Sequence, residues 1–159
     1  MNNTTNYRIF VEKLPRFRVE ADSLRRELNT NLNLDIRSLR LLNVYDLFGF
    51  SRELLEKSRY SVFGEVVTDS VTDSCDLAGR KYIAVEYLPG QFDQRAASAV
   101  DCVRLIDPEA EVRIRSSRLS RAREMADRIG RDYDLTWDDI LVQTAVGATV
   151  GRPHLADAL

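Results

Sequence analysis

Histidine and cysteine are scarce in this 159-residue chain, which contains one histidine, His154, and two cysteines, Cys75 and Cys102. So few ligands give no basis for a Cys/His zinc site, and two thiols far apart in sequence give none for a disulfide framework. The sequence therefore predicts no metal in this chain. Cys102 has no activating base near it in sequence, and we expect it to be a small buried residue of a helix.

An excess of charge of one sign is also missing, because 23 basic and 25 acidic side chains leave a net charge of −2. This balance argues against nucleic acid or an acidic lipid surface as a partner. The sequence has no apolar run of about 18 residues, and its first six residues lack a signal-peptide pattern. We therefore expect a cytoplasmic protein without a membrane partner. A hydrophobic content of 44% predicts a folded chain.

In the first half, the spacing of apolar residues switches between a period of two and a period of 3.6 residues. This pattern indicates alternating strands and helices. The pattern predicts strands over 7–14, 36–47 and 63–71, an amphipathic helix over 19–32, and a short helix that Ser51 caps. Residues 71–80 are rich in Thr, Asp, Ser and Gly, and this stretch is the expected seam between two halves of the chain.

The second half repeats the order strand, helix, strand. A strand over 81–88 precedes the turn at Pro89-Gly90, Asp93 is placed to cap a helix, and a strand follows over 111–119. The apolar face of this helix is expected at Ala96, Val100, Val103 and Ile106. The two halves together predict an α+β fold of two ferredoxin-like halves with antiparallel sheets packed face to face, followed by a small helical tail.

The last forty residues show only a helical spacing of apolar residues, with no strand pattern. We therefore divide the chain into domains 1–119 and 120–159. Ala122, Met125, Ala126 and Ile129 form one apolar stripe, Thr136 and Asp139 have the spacing of a capping box, and Trp137 is expected in the core. Few large apolar residues are present, so this tail must dock on the first domain or stay mobile.

Three strings in residues 7–119 resemble the amino-terminal domain of the large, single-chain type of phosphoribosylformylglycinamidine synthase. They are YRIFVEK at 7–13, LNVYD at 42–46 and EYLPGQFDQRA at 86–96, of which the last is the most distinctive. The resemblance implies a domain like the small accessory subunit of the split enzyme, present as two pseudo-repeats. In that family, ATP activates an amide of the substrate, and ammonia released from glutamine displaces phosphate in a step of purine synthesis.

The resemblance also implies partner domains. The sequence lacks the catalytic residues that this chemistry needs, so other domains must supply them. A glutaminase needs a nucleophilic cysteine with a basic partner, and the only histidine lies outside the family-like segment. ATP and magnesium would belong to the synthetase domain, so no cofactor is expected in this chain. We therefore expect a non-catalytic domain that contacts the synthetase and glutaminase domains of the same enzyme and is itself monomeric.

The tail resembles a helical insertion of phosphoesterases of the polymerase-and-histidinol-phosphatase family, on AREM at 122–125, LTWDDIL at 135–141 and VGRPHLADAL at 150–159. Arg152 and His154 flank Pro153 at an expected helix start, where both side chains can reach a substrate phosphate. The alternative function is therefore a fragment or chimera of such a metal-dependent phosphoesterase. A packed or solvated loop explains the same two residues without a ligand.

The most distinctive string also contains the candidate site residues, Gln91, Asp93, Gln94 and Arg95. They follow a Pro-Gly turn at a junction of strand and helix, where polar side chains and free N–H groups meet a phosphate or a neighbouring domain. A plain helix cap at Asp93 and a surface ion pair at Arg95 explain them without a ligand. Separately, Arg113, Arg115 and Arg118 are expected on one solvated face of the last strand.

Overall fold

The computed structural model describes residues 5–75, 81–88 and 90–123 and places five strands and three α-helices in them. In chain order these elements are β1 (Thr5–Lys13), α1 (Val19–Asn31), β2 (Ser38–Phe50), α2 (Arg52–Ser58), β3 (Asp69–Thr72), β4 (Lys81–Glu86), α3 (Gln94–Ile106) and β5 (Arg113–Arg123). A 3₁₀ turn over Pro15–Phe17 precedes α1, and a π-helical turn over Arg59–Phe63 continues α2. The predicted α+β class is confirmed.

All five strands lie in one antiparallel sheet with the order β3-β1-β2-β5-β4. The units β1-α1-β2 and β4-α3-β5 have the same connection, a helix between two adjacent antiparallel strands. Their long strands β2 and β5 pair from Ser38↔Arg123 to Phe48↔Arg113 at the centre of the sheet. The two halves therefore lie side by side instead of face to face, because each supplies the hydrogen-bonding edge that the other needs.

Single residues explain where some of these elements begin and end. The hydroxyl of Ser51 accepts a hydrogen bond from the N–H of Leu54 at 3.1 Å, as expected of a residue preceding a helix. Pro15 ends the ladder of β1, since proline has no N–H to donate. The expected seam separates β3 from β4, which lie at opposite edges of the sheet.

The helices pack against one face of the sheet, where the main core lies. Ile9 and Leu47 from the strands belong to this core together with Leu55 of α2 and Val103 of α3, and all four are fully buried. The opposite face has a smaller apolar cluster, and Cys75 and Tyr82 pack against it. This second cluster consists of Phe10, Leu42, Val44, Ala84 and Leu119.

The strand predicted over 63–71 is present only at its end, in β3. Phe63 instead belongs to the π-helical turn, and its ring lies 4.9 Å from the ring of Tyr45 in the main core. The hydroxyl of Tyr60, in the same turn, accepts a hydrogen bond from the N–H of Val71. Burial of Phe63 thus overrides the β preference of the local sequence.

The apolar face of α3 also differs from the prediction. Ala96, Ala99 and Val103 are buried, whereas Cys102 is exposed and Ile106 is 37% exposed. The prediction of a buried Cys102 is therefore wrong, because the helix turns that position about 100° away from Val103.

Strand β5 continues to Arg123, four residues beyond the predicted end of the first domain. Ala122 lies opposite Leu39 of β2 and Lys81 of β4, so the predicted helical stripe does not begin at Ala122. The other tail predictions, namely the rest of the stripe, the capping box and Trp137, lie outside the described residues. Within the described part of the chain, none of the helices is long and apolar enough to cross a membrane.

Candidate functional site

The string at 86–96 forms the end of β4, a turn and the start of α3. The carbonyl of Leu88 accepts from the N–H of Gln91 at 3.0 Å, and the side-chain oxygen of Gln91 accepts from the N–H of Leu88 at 2.7 Å. Gly90 has a φ of +87°, which suits the third position of a type II turn. Gln91 thus closes the turn with both its backbone and its side chain.

Asp93 joins the start of α3 to β5. One carboxylate oxygen accepts from the N–H of Ala96 at 2.9 Å and from the hydroxyl of Ser116 at 2.6 Å, and the other accepts from the N–H of Ser116 at 2.7 Å. Ser116 lies one residue beyond the last β4–β5 pair, Glu86↔Ser117. The carboxylate therefore satisfies a strand N–H where β4 ends, in addition to capping the helix.

A cavity of about 520 Å³ lies beside this junction, between the turn, the first turn of α3 and the edge of the sheet. Its wall combines exposed aromatic rings, two guanidinium groups and the polar groups of Gln91 and Ser117. The described lining residues are Val85, Glu86, Tyr87, Gln91, Phe92, Arg95, Ser117 and Arg118. The ring of Phe92 is 75% exposed.

The arginines of the cavity differ in their partners. Arg118 donates to Glu20 of α1 at 2.5 Å, but its Nε–H is buried and has no acceptor among the described residues. Arg95 is half-buried and forms neither a hydrogen bond nor an ion pair within the same part of the chain. Glu86 faces Arg115 at 3.9 Å. Among the described residues, Arg95 is therefore the cation of the cavity wall that no acceptor engages.

The charge of Arg95 also acts on Tyr45, a buried residue of the main core. Burial raises the pKa of Tyr45 above its ordinary value, the positive charge of Arg95 opposes this shift, and Asp93 and Asp69 add to it. Burial is thus the main cause of the raised pKa of Tyr45, and the charges at the start of α3 modify it in opposite directions.

The structure brings together two of the four predicted site residues in the cavity, Gln91 and Arg95. Asp93 lies behind them as a structural tie, and Gln94 is an exposed residue of the first turn of α3 outside the cavity lining. Arg152 and His154 lie outside the described residues. Groups of three or more side chains suited to holding a metal are not found within the described ranges.

Sequence reasoning missed Arg118 as a cavity residue. Arg113 and Arg115 are exposed, as expected, but Arg118 lies on the helix-covered face next to Asn43 of β2. Grouping all three on one face was wrong, because strand positions separated by an odd number point to opposite faces. The period of two was the signal that distinguishes Arg118 from the other two arginines.

These features define an α+β domain with a fixed turn and a cavity lined by two arginines at one sheet edge. In comparisons with family models, curated proteins and solved structures, nothing matches this chain.

Proposed function

We propose that this chain is a non-catalytic structural and interaction domain of a phosphoribosylformylglycinamidine synthase. In this proposal it contacts the synthetase and glutaminase domains and contributes to assembly and to the architecture of the substrate cleft and the ammonia path. ATP and magnesium belong to those partner domains and not to this chain.

One observation supports the proposal most strongly. The string at 86–96, which carries the resemblance, forms a turn and cap fixed by Gln91 and Asp93, and this frame leaves Tyr87, Leu88 and Phe92 exposed by 44%, 42% and 75%. Apolar side chains on a fixed backbone bind a partner with little loss of conformational entropy. This surface, Tyr87 to Phe92, is the proposed docking segment.

A monomeric, cytoplasmic domain is part of the same proposal. The apolar residues on the second face of the sheet need no second copy to cover them, because Phe10, Val44 and Leu119 are 2%, 0% and 0% exposed in the single chain. Nucleic acid is not a proposed partner. On the sheet face opposite the helices, basic and acidic side chains pair with each other, as in Arg8–Asp46 and Arg115–Glu86.

The test is binding to a synthetase–glutaminase chain of the family that lacks its own amino-terminal domain. We expect a complex in sedimentation velocity and recovery of glutamine-dependent amidation. Phe92→Ser should weaken the complex at least about tenfold, because it removes a large apolar contact. Leu105→Ser is the matched control, since Leu105 is 86% exposed at the far end of α3. Absence of a complex, or equal weakening by both variants, would overturn the proposal.

A further inference from the structure

Two guanidinium groups line the 520 Å³ cavity, and the described residues supply few acceptors for them. Arg95 makes no ion pair in the described part of the chain, and the buried Nε–H of Arg118 lacks an acceptor there. The side-chain oxygen of Gln91 is engaged by Leu88, which leaves its amide NH₂ as a further donor. Asn43, opposite Arg118 in the β2–β5 ladder, has a buried Oδ1 that also lacks a partner, so this Nε–H has an unused acceptor nearby. Half-buried donors are normally satisfied, and within the described part of the chain the guanidinium of Arg95 is the cation of the cavity wall that no acceptor engages.

The acidic side chains that the structure describes near the cavity engage other donors. Both carboxylate oxygens of Asp93 are occupied by Ala96 and Ser116. Glu20 accepts from the terminal nitrogen of Arg118 and leaves the Nε–H unsatisfied, and Glu86 faces Arg115. The unmatched positive charge therefore stays with Arg95, on the wall that it shares with Arg118.

We infer that this cavity binds an oxyanion, a carboxylate or phosphate group, between Arg95 and Arg118. Guanidinium groups present paired N–H donors that match the oxygens of both anions. The rings of Tyr87 and Phe92 line the same cavity and suit an anion attached to an apolar group. The anion comes either from a free phosphate compound or from an acidic side chain of a docking partner.

The experiment uses the full chain, with inorganic phosphate and succinate as separate probes at constant ionic strength. Titrations followed by ¹⁵N NMR should show saturable shifts of the Nε–H signals of Arg95 and Arg118 and of the Gln91 amide. Arg95→Gln and Arg118→Lys should each raise the apparent Kd at least about tenfold, because each removes guanidinium donors. Arg104→Gln, an exposed arginine of the same helix outside the cavity lining, should change the Kd less than twofold.

Saturation by phosphate supports the inference with a free phosphate compound as the source, and saturation by succinate alone supports it with a partner carboxylate. Thermal unfolding of each variant identifies a loss of fold, and Arg118→Lys retains the positive charge beside Glu20. The inference is overturned if neither probe saturates, or if Arg104→Gln weakens binding as much as Arg95→Gln. This result is independent of the proposed function, because the titration contains no partner protein.

Discussion

The carboxylate of Asp93 holds Ser116 by two hydrogen bonds, from the backbone N–H at 2.7 Å and from the hydroxyl at 2.6 Å, although 23 residues separate them. The same carboxylate caps α3 through Ala96. One side chain thus fixes the helix start on the sheet, and the turn that presents the docking segment ends at this point.

Replacement of Asp93 tests this tie. Asp93→Ala should lower the free energy of unfolding by about 2–4 kcal/mol, because it removes a cap and leaves the N–H of Ser116 without its acceptor. Asp93→Asn retains one acceptor oxygen and should lose about half as much. Urea denaturation measures both. Asp101→Ala, at an exposed position of α3, should stay within about 0.5 kcal/mol of the wild type; an equal loss at Asp93 and Asp101 would contradict the tie.

Two glycines with positive φ should differ in their tolerance of alanine. Gly90 has a φ of +87° and nothing within 4 Å of an added Cβ, so Gly90→Ala should cost about 1 kcal/mol of backbone strain. Gly49 has a φ of +80°, and its Cβ would lie 2.5 Å from the carbonyl oxygen of Glu111. Gly49→Ala should therefore cost about 3 kcal/mol. Thermal or urea unfolding that gives equal losses would show that the close approach at Glu111 is relieved.

Asp69 should contribute to acid sensitivity. Burial raises its pKa, but Lys13, the N–H of Glu65 and the hydroxyl of Thr68 together outweigh burial and hold the pKa below the ordinary value of 3.8. A lowered pKa in the folded state stabilises the fold above the unfolded value, and this stability is lost as the pH falls through the folded value. The unfolding free energy should therefore drop below about pH 4 more steeply in the wild type than in Asp69→Asn. Identical slopes in urea titrations at successive pH values would exclude this role.

Truncations locate the end of the folded domain. A chain ending at Arg123 retains every pair of the β2–β5 and β4–β5 ladders, and its cooperative unfolding should stay close to that of the full chain. A chain ending at Leu119 loses the pairs of residues 120–123 with both β2 and β4 and should be less stable. Circular dichroism melts compare them. Equal stability of the two truncations would mean that the last part of β5 adds nothing to the sheet.

Local chemistry was enough to predict several elements from the sequence. Ser51 and Asp93 are correctly identified as caps, and the helix over 19–32 nearly coincides with α1. These predictions are correct because a cap, a proline or an apolar stripe acts within one or two helical turns.

The pairing of β2 with β5 has no such local signal. It joins residues 38–48 to residues 113–123, and neither strand contains information on which edge it will meet. Because this pairing has no local signal, a single sheet replaced the two expected sheets. The tie between Asp93 and Ser116, and the presence of Arg95 and Arg118 in one cavity, depend on the β4–β5 register and on where α3 starts against β5, so the sequence pointed to the motif but not to its cavity.

Hydrogen exchange of this chain, alone and with the synthetase–glutaminase chain, tests the docking segment most directly. We expect the backbone amides of residues 87, 88 and 90–92 to become protected in the complex, while those at the carboxyl end of α3 around Leu105 exchange as in the free chain. Protection around Leu105 with unchanged exchange at 87, 88 and 90–92 would show that the docking segment is not the contact surface.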